Sequence, residues 1–181
     1  YVLKHTPGNT VSNLSSSRAL KDVTEAYGQQ YHAAAVGEVN VVAEMKRTHS
    51  VIGGEGNGGV IYPESHYGRD ALVGVGLFLS HYVAQSKKMT ELKSTYPPYF
   101  ISKNKMTLSP DMDVDKILEG LKERYATEKV TDIDGVKIDF AQGWVHLRKS
   151  NTEPIIRIYS EAKDEAAANQ LAEEVIAAAK S

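Results

Sequence analysis

Two short segments of this 181-residue sequence combine residue types suited to binding. The first, residues 53 to 59, holds five glycines around Glu55 and Asn57. Glycine lets the backbone approach a ligand closely, a carboxylate accepts hydrogen bonds, and an amide both donates and accepts them. That inventory suits the hydroxyl groups of a polyol such as a sugar. A second interpretation stays open, in which the segment is a tight glycine hairpin with a solvated glutamate.

The same segment also matches a dinucleotide-binding pattern, Gly54-x-Gly56-x-x-Gly59. That pattern must open a helix whose N-terminus holds the pyrophosphate. Residues 60 to 63 read Val-Ile-Tyr-Pro, which predicts a strand ending at a proline, so a nucleotide site is disfavoured. Further along, the pair Arg69 and Asp70 either brings Arg69 near the glycine loop or caps the next helix.

The second segment lies at residues 148 to 154. It offers a guanidinium, an ammonium, two hydroxyls, an amide and backbone N–H groups, and another guanidinium follows closely. These groups belong to Arg148, Lys149, Ser150, Asn151, Thr152 and Arg157. Together they suit a dianionic phosphate. An ordinary turn between two strands, with basic flanks in solvent, is the alternative.

The overall composition excludes several classes of partner. With 21 basic and 23 acidic side chains the net charge is −2, which argues against a nucleic-acid partner. The longest wholly apolar or glycine stretch, residues 71 to 79, is too short to span a membrane. The absence of cysteine removes thiolate chemistry and favours a cytoplasmic location.

No metal site is predicted. Residues 132 to 135 resemble the start of a calcium loop but lack further acidic ligands and coincide with a predicted hairpin turn. The six histidines have no zinc-binding spacing.

The hydrophobic pattern predicts two domains. Residues 1–108 alternate strand-like and helix-like segments, including a helix over 69–87, and form an α/β domain. Between 92 and 113 the pattern breaks at prolines and polar residues, which predicts a linker. Residues 109–181 predict a small α+β domain with a four-stranded antiparallel sheet and two helices, the last one opened by Asp164.

The two segments, in this order, resemble loops of the α-D-phosphohexomutases, the family of phosphoglucomutase, phosphomannomutase and phosphoglucosamine mutase. Residues 53–61 are similar to the sugar-binding loop, and residues 148–157 to the phosphate-binding loop. Residues 36–45 also resemble the family. The resemblance implies that 1–108 and 109–181 are the third and fourth of four domains. Because the first residue is Tyr1 and not Met, we expect a piece of a longer protein.

The resemblance also implies roles for single residues. Sugar binding is implied for Gly54, Glu55, Asn57 and Gly58, and phosphate binding for Arg148, Ser150, Asn151, Thr152 and Arg157. The glycine loop departs from the commoner Gly-Glu-x-Ser-Gly-His form at Asn57 and Gly59, so the preferred hexose stays open.

The family chemistry implied is transfer from an enzyme phosphoserine through a bisphosphate intermediate, with Mg²⁺ in the full-length enzyme. Neither the phosphoserine motif nor the Asp-Gly-Asp-Gly-Asp-Arg magnesium loop occurs in these 181 residues. We therefore expect the catalytic groups in missing N-terminal domains, and in this fragment no catalytic residue, no bound metal and no activity, only binding of a phosphohexose. The alternative is a non-catalytic sugar-phosphate-binding module.

Overall fold

The computed structural model describes residues 1–109, 112–150 and 152–180, and the chain divides into two compact units, Tyr1–Pro97 and Pro98–Ser181. The division lies before the predicted boundary at 108. Residues 100–107, expected to be part of a linker, form a strand of the second unit instead.

Unit 1 is a mixed five-stranded sheet with helices. Its helices are α1 (Val2–His5), α2 (Ala19–Ala26), α3 (Glu38–Thr48), α4 (Ala71–Gln85) and α5 (Met89–Lys93). Its strands are β1 (Thr10–Asn13), β2 (Tyr31–Ala34), β3 (Ile52–Glu55), β4 (Gly59–Tyr62) and β5 (His66–Arg69). The strand order is β2-β1-β3-β4-β5, with β1 parallel to β2 and β3 and the remaining pairs antiparallel.

Helices cover both faces of this sheet, as predicted for an α/β domain. On one face Val11 and Ile61 pack with Met45 of α3, and all three are fully buried. Gly53 is required there, because a Cβ at this position would lie 2.8 Å from the Val11 carbonyl oxygen as well as 2.5 Å from the Met45 sulfur. The other face carries α2 and α4. There a Cβ on Gly74 of α4 would lie 3.2 Å from Val60 Cγ2.

Unit 2 is an antiparallel sheet with two described helices, α6 (Val114–Arg124) and α7 (Glu165–Ala179). Its strands are β6 (Phe100–Thr107), β7 (Lys129–Thr131), β8 (Val136–Phe140), β9 (Gly143–Lys149) and β10 (Ile155–Ala162), in the order β6-β10-β9-β8-β7. The predicted α+β class is confirmed. The predicted number of four strands is wrong, because β6 adds a fifth.

The hydrophobic pattern of the sequence does not predict strand β6, because the inward-facing positions of the strand are partly polar. Ser102 is buried, but its hydroxyl donates a 2.6 Å hydrogen bond to Asn169 Oδ1 on α7. Lys103 and Lys105 alternate with these positions and are exposed. The strand is held by backbone pairing with β10 along its whole length, a long-range interaction that local composition does not reveal.

Among the described residues, no helix is both long enough and apolar enough to cross a membrane.

Limited proteolysis with a non-specific protease should cut first within residues 94–99, between α5 and β6. Residues 94–98 are exposed, whereas the backbone of β6 is protected by its pairing with β10. Intact-mass analysis should give fragments that correspond to the two units. A first cut inside α4 or β6 would contradict this division of the chain.

Candidate functional site

The glycine loop is a tight hairpin between β3 and β4. Gly54 pairs with Val60 and Glu55 with Gly59, and the Gly58 N–H donates to the Glu55 carbonyl at 3.1 Å. Gly58 has φ of +92°, a conformation that side chains rarely adopt. A Cβ on Gly54 would collide with the Gly59 carbonyl. The glycines therefore set the shape of this loop.

Glu55 is not the solvated glutamate of the hairpin interpretation. Its side chain is only 5% exposed. Oε1 accepts hydrogen bonds from Asn13 Nδ2 at 2.9 Å and from the Gly37 N–H at 3.2 Å, and Oε2 lies 3.3 Å from Arg69 Nη1. A carboxylate oxygen has two lone pairs, so these contacts fill Oε1 and leave acceptor capacity on Oε2.

Arg69 connects two carboxylates. Its backbone N–H and its Nε donate to Glu38 at 3.0 and 2.8 Å. These hydrogen bonds, the backbone one foremost, hold the pKa of Glu38 below its usual range. Asp70 caps α4 by accepting from the Val73 N–H at 3.0 Å. Both interpretations of the Arg69–Asp70 pair are therefore correct at once.

Asn13 is a residue that sequence reasoning missed. Its Oδ1 accepts from the Ser15 N–H at 3.1 Å and from Ser16 Oγ at 2.8 Å, which fixes the amide so that Nδ2 reaches Glu55. A topological signal exists: Asn13 and Glu55 end the neighbouring parallel strands β1 and β3. Ligands of open α/β sheets bind at the carboxyl ends of strands.

Two cavities adjoin the glycine loop. One, of about 270 Å³, is lined by Gly54, Glu55 and Gly58 together with residues of β1, β3 and α2. The other, of about 530 Å³, is lined by Asn57 and Arg69, among others. Asn57 is exposed, and its Oδ1 accepts from the Gly59 N–H at 3.1 Å. Glu55 and Asn57 thus border different cavities that share the edge of the loop.

The second candidate segment is the turn between β9 and β10 of unit 2. The Ser150 N–H donates to the Ile155 carbonyl at 2.9 Å, and the Thr152 N–H to Ser150 Oγ at 3.4 Å. Ser150 is buried and Thr152 is exposed. Asn151, predicted to join them, lies outside the described residues. The turn thus places two hydroxyls beside the ends of two strands, and the N–H groups of Ser150 and Thr152 hold its shape.

Basic side chains share one face of the sheet beside this turn. Arg148 and Arg157 are directly opposite each other on β9 and β10, and Lys105 of β6 is opposite Arg157. Arg157 Nη2 donates to Glu153 at 3.1 Å. Within the part of the chain that the structure describes, Arg148 Nε is buried and has no hydrogen-bond partner. Like charges directly opposite one another are unfavourable, so an anion would stabilise this arrangement.

Across residues 1–109, 112–150 and 152–180, no cluster of three or more histidine or carboxylate side chains is arranged to hold a metal ion. The calcium-like segment is a turn, as expected, with Gly135 at φ of +67° and Asp132 paired with Lys122 at 3.0 Å.

Comparison with known sequences assigns both units. Residues 1–99 match a sequence model described as phosphoglucomutase/phosphomannomutase, alpha/beta/alpha domain III, and residues 103–178 match the C-terminal domain of the same family. The chain belongs to the phosphoglucomutase/phosphomannomutase family.

Individual relatives agree with this family assignment. The chain is 36% identical over 167 residues to a phosphoglucosamine/phosphogalactosamine mutase of Sulfurisphaera tokodaii, and 36% identical over 168 residues to a phosphoglucomutase/phosphomannomutase of Thermococcus kodakarensis. These alignments cover 91% and 92% of this chain but 37% and 36% of the relatives. The chain therefore spans less than half the length of either relative.

A solved family structure agrees in fold. The crystal structure of a phosphoglucomutase/phosphomannomutase family protein from Burkholderia thailandensis superposes with a TM-score of 0.78 at 23% identity, over 99% of this chain and 39% of that one.

Proposed function

We propose that this chain is the substrate-binding C-terminal part of a phosphohexose mutase. The parent enzyme would interconvert a hexose 6-phosphate and a hexose 1-phosphate through an enzyme phosphoserine and a bisphosphate intermediate. The observation that carries the proposal is the buried Nε of Arg148, which has no hydrogen-bond partner among the described residues and lies opposite Arg157, beside the Ser150 turn. Within a phosphohexomutase fold, an arginine with an unmet donor beside hydroxyls suits a phosphate.

Unit 2 supplies the recognition of phosphate in this proposal. A guanidinium offers five donors in a planar fork and pairs with phosphate through two parallel hydrogen bonds. Arg148 provides that fork, while Ser150 and Thr152 provide hydroxyls and Asn151 provides an amide. Arg157 contributes positive charge. Its hydrogen bond to Glu153 is either exchanged for one to the phosphate or kept, in which case Glu153 holds the guanidinium in place. The phosphate held here is the one that is not being transferred.

Unit 1 supplies the recognition of sugar hydroxyls. Asn13, Gly37 and Arg69 fix the Glu55 carboxylate before substrate arrives, which lowers the ordering cost of binding. Oε2 retains capacity for one hydroxyl donor, and Asn57 both donates and accepts at the rim. The binding role of Gly54 and Gly58 is to let a ligand approach the loop backbone closely, because glycine has no side chain. The contribution of this chain to catalysis is positioning.

The phosphoserine and the Mg²⁺ of the mutase reaction belong to other parts of the parent in this scheme, and the parent would act in the cytoplasm. A second candidate is a non-catalytic module that binds sugar phosphates as it stands. The observation that favours it is the absence of both the phosphoserine motif and the magnesium loop from the 181 residues.

The experiment compares this chain with the full-length parent. The isolated chain should convert none of glucose, mannose or glucosamine 6-phosphate, with or without Mg²⁺, because it carries neither the phosphorylated serine nor the metal ligands. The parent should convert at least one of them in a coupled assay with Mg²⁺.

The outcomes separate the two candidates. Turnover by the isolated chain would overturn the division of labour proposed here. A parent that binds a hexose phosphate, as followed by amide NMR shifts in both loops, but converts none would instead favour the non-catalytic module.

A further inference from the structure

Helix α4 carries no charged residue although it lies on the surface. Its sequence, residues 71–85, has no Asp, Glu, Lys or Arg, and none of its residues is buried. Partial loss of hydration is the main cause that lowers the pKa of its His81, which disfavours a charge there too. A helix that is apolar on all sides is normally enclosed by protein. The described residues of unit 1 do not enclose it.

Helix α3, on the opposite face of the same sheet, provides the contrast. It contains four charged residues in 11 positions, and Arg47 pairs with Glu44 through its Nε at 2.8 Å. Its apolar residues Val41 and Met45 are fully buried against the sheet. Helix α3 thus has the pattern of a helix with one face in solvent, whereas α4 does not.

Helix α2, which lies on the same face of the sheet as α4, also carries exposed apolar side chains. The exposed apolar side chains of the two helices, with Tyr27 at the C-terminal end of α2, are here named the α2–α4 surface: Val23, Tyr27, Leu72, Val75, Phe78, Leu79 and Val83. Leu72 is 84% exposed and Val83 is 74% exposed. Apolar surface this extensive marks an interaction site.

We propose that the α2–α4 surface packs, in the complete protein, against a part of the polypeptide outside these 181 residues. The matched region is a third domain by its family description, and the chain covers only 37% and 36% of the two relatives compared, so most of the family fold is available as the partner. The absence of Lys and Arg on α4 argues against an anionic membrane surface. The inference rests on the proposed function in one respect: it requires that the chain is part of a longer protein of this family.

The test uses thiol accessibility, because the chain has no cysteine of its own. Leu72→Cys and Val83→Cys report on α4, and Val39→Cys, at a 77% exposed valine on α3, is the matched control. Each is made in this chain and in the full-length parent, in a background without other cysteines. The rate of reaction with a chromogenic disulfide reagent is then measured.

In the isolated chain all three thiols should react at similar rates at every protein concentration. In the parent, the two α4 thiols should react at least about tenfold more slowly, because they must wait for local opening, while Val39→Cys keeps its rate. Equal rates for the α4 thiols in chain and parent would overturn the proposal. So would a gene that encodes nothing beyond these residues.

Protection of the α4 thiols that grows with the concentration of the isolated chain would also overturn the proposal, since the occupant would then be a second copy. The readout needs no enzymatic turnover. A parent that protects α4 but lacks mutase activity would therefore remove the proposed function and leave this inference standing.

Discussion

Replacing Arg148 with alanine in the full-length parent should lower kcat/KM for its hexose phosphate by about 10- to 150-fold. A charge-assisted hydrogen bond contributes roughly 1.5 to 3 kcal/mol, and each 1.4 kcal/mol is a factor of about ten. The buried Arg148 Nε has no partner within the described residues, so truncation removes a donor that the fold leaves available for an anion. Most of the loss should appear as a higher KM. Turnover should also fall, because in the proposed mechanism the same cradle retains the bisphosphate while it reorients.

Lys149→Ala is the matched control, because Lys149 is the next residue along the strand and is exposed. Successive side chains of a strand point to opposite faces, and an ammonium lacks the planar fork of a guanidinium. We expect a smaller loss there, and an intermediate one for Arg148→Lys. If Arg148→Ala leaves both KM and kcat within about twofold of the parent, the phosphate cradle has been assigned to the wrong residues.

The parts of the fold that the sequence predicts well are those determined by local interactions. Asp164 was expected to open the last helix, and its side chain accepts a hydrogen bond from the Ala167 N–H at 2.8 Å. The predicted helix over 69–87 is found as α4 at 71–85. Capping and helical periodicity act within one or two turns of chain, so their signals are present in the sequence itself.

The missing parts depend on contacts between residues distant in sequence. Strand β6 exists because β10 pairs with it, and the carboxylate of Glu55 is oriented by Asn13, which is 42 positions away. The sequence reveals that the loop has a glutamate, but not that three other groups hold it. The apolar pattern of α4 predicts a helix correctly, yet it conceals that the helix is left exposed.

His146 should make unit 2 sensitive to mild acid. It is 1% exposed on β9, and burial is the main cause that lowers its pKa from 6.5 to about 4. Its Nε2–H donates to the Asp134 carbonyl at 2.7 Å, so the neutral ring is held in one tautomer. Nearby Lys137 and Arg148 also disfavour protonation.

The direction of the effect follows from proton uptake. Between pH 6.5 and about 4 the unfolded chain binds a proton at this ring and the folded chain does not. Stability is therefore complete above pH 6.5 and falls as the pH is lowered toward 4, by about 3 kcal/mol in total from this group. Below that range the folded state also takes up the proton and the loss stops growing.

Urea unfolding followed by tryptophan fluorescence measures this effect directly. Trp144 is the single tryptophan of the sequence, and it is fully buried in unit 2. Of the six histidines of the sequence, only His146 belongs to that unit. The free energy of unfolding should fall between pH 7 and pH 4.5 by about 2 kcal/mol more in the unsubstituted chain than in His146→Gln, whose side chain does not titrate. His66→Gln, at an exposed site in unit 1, is the control and should leave the fluorescence-detected pH dependence unchanged. Equal pH dependence in the unsubstituted chain and in His146→Gln would mean that the pKa of His146 is not lowered in the folded state.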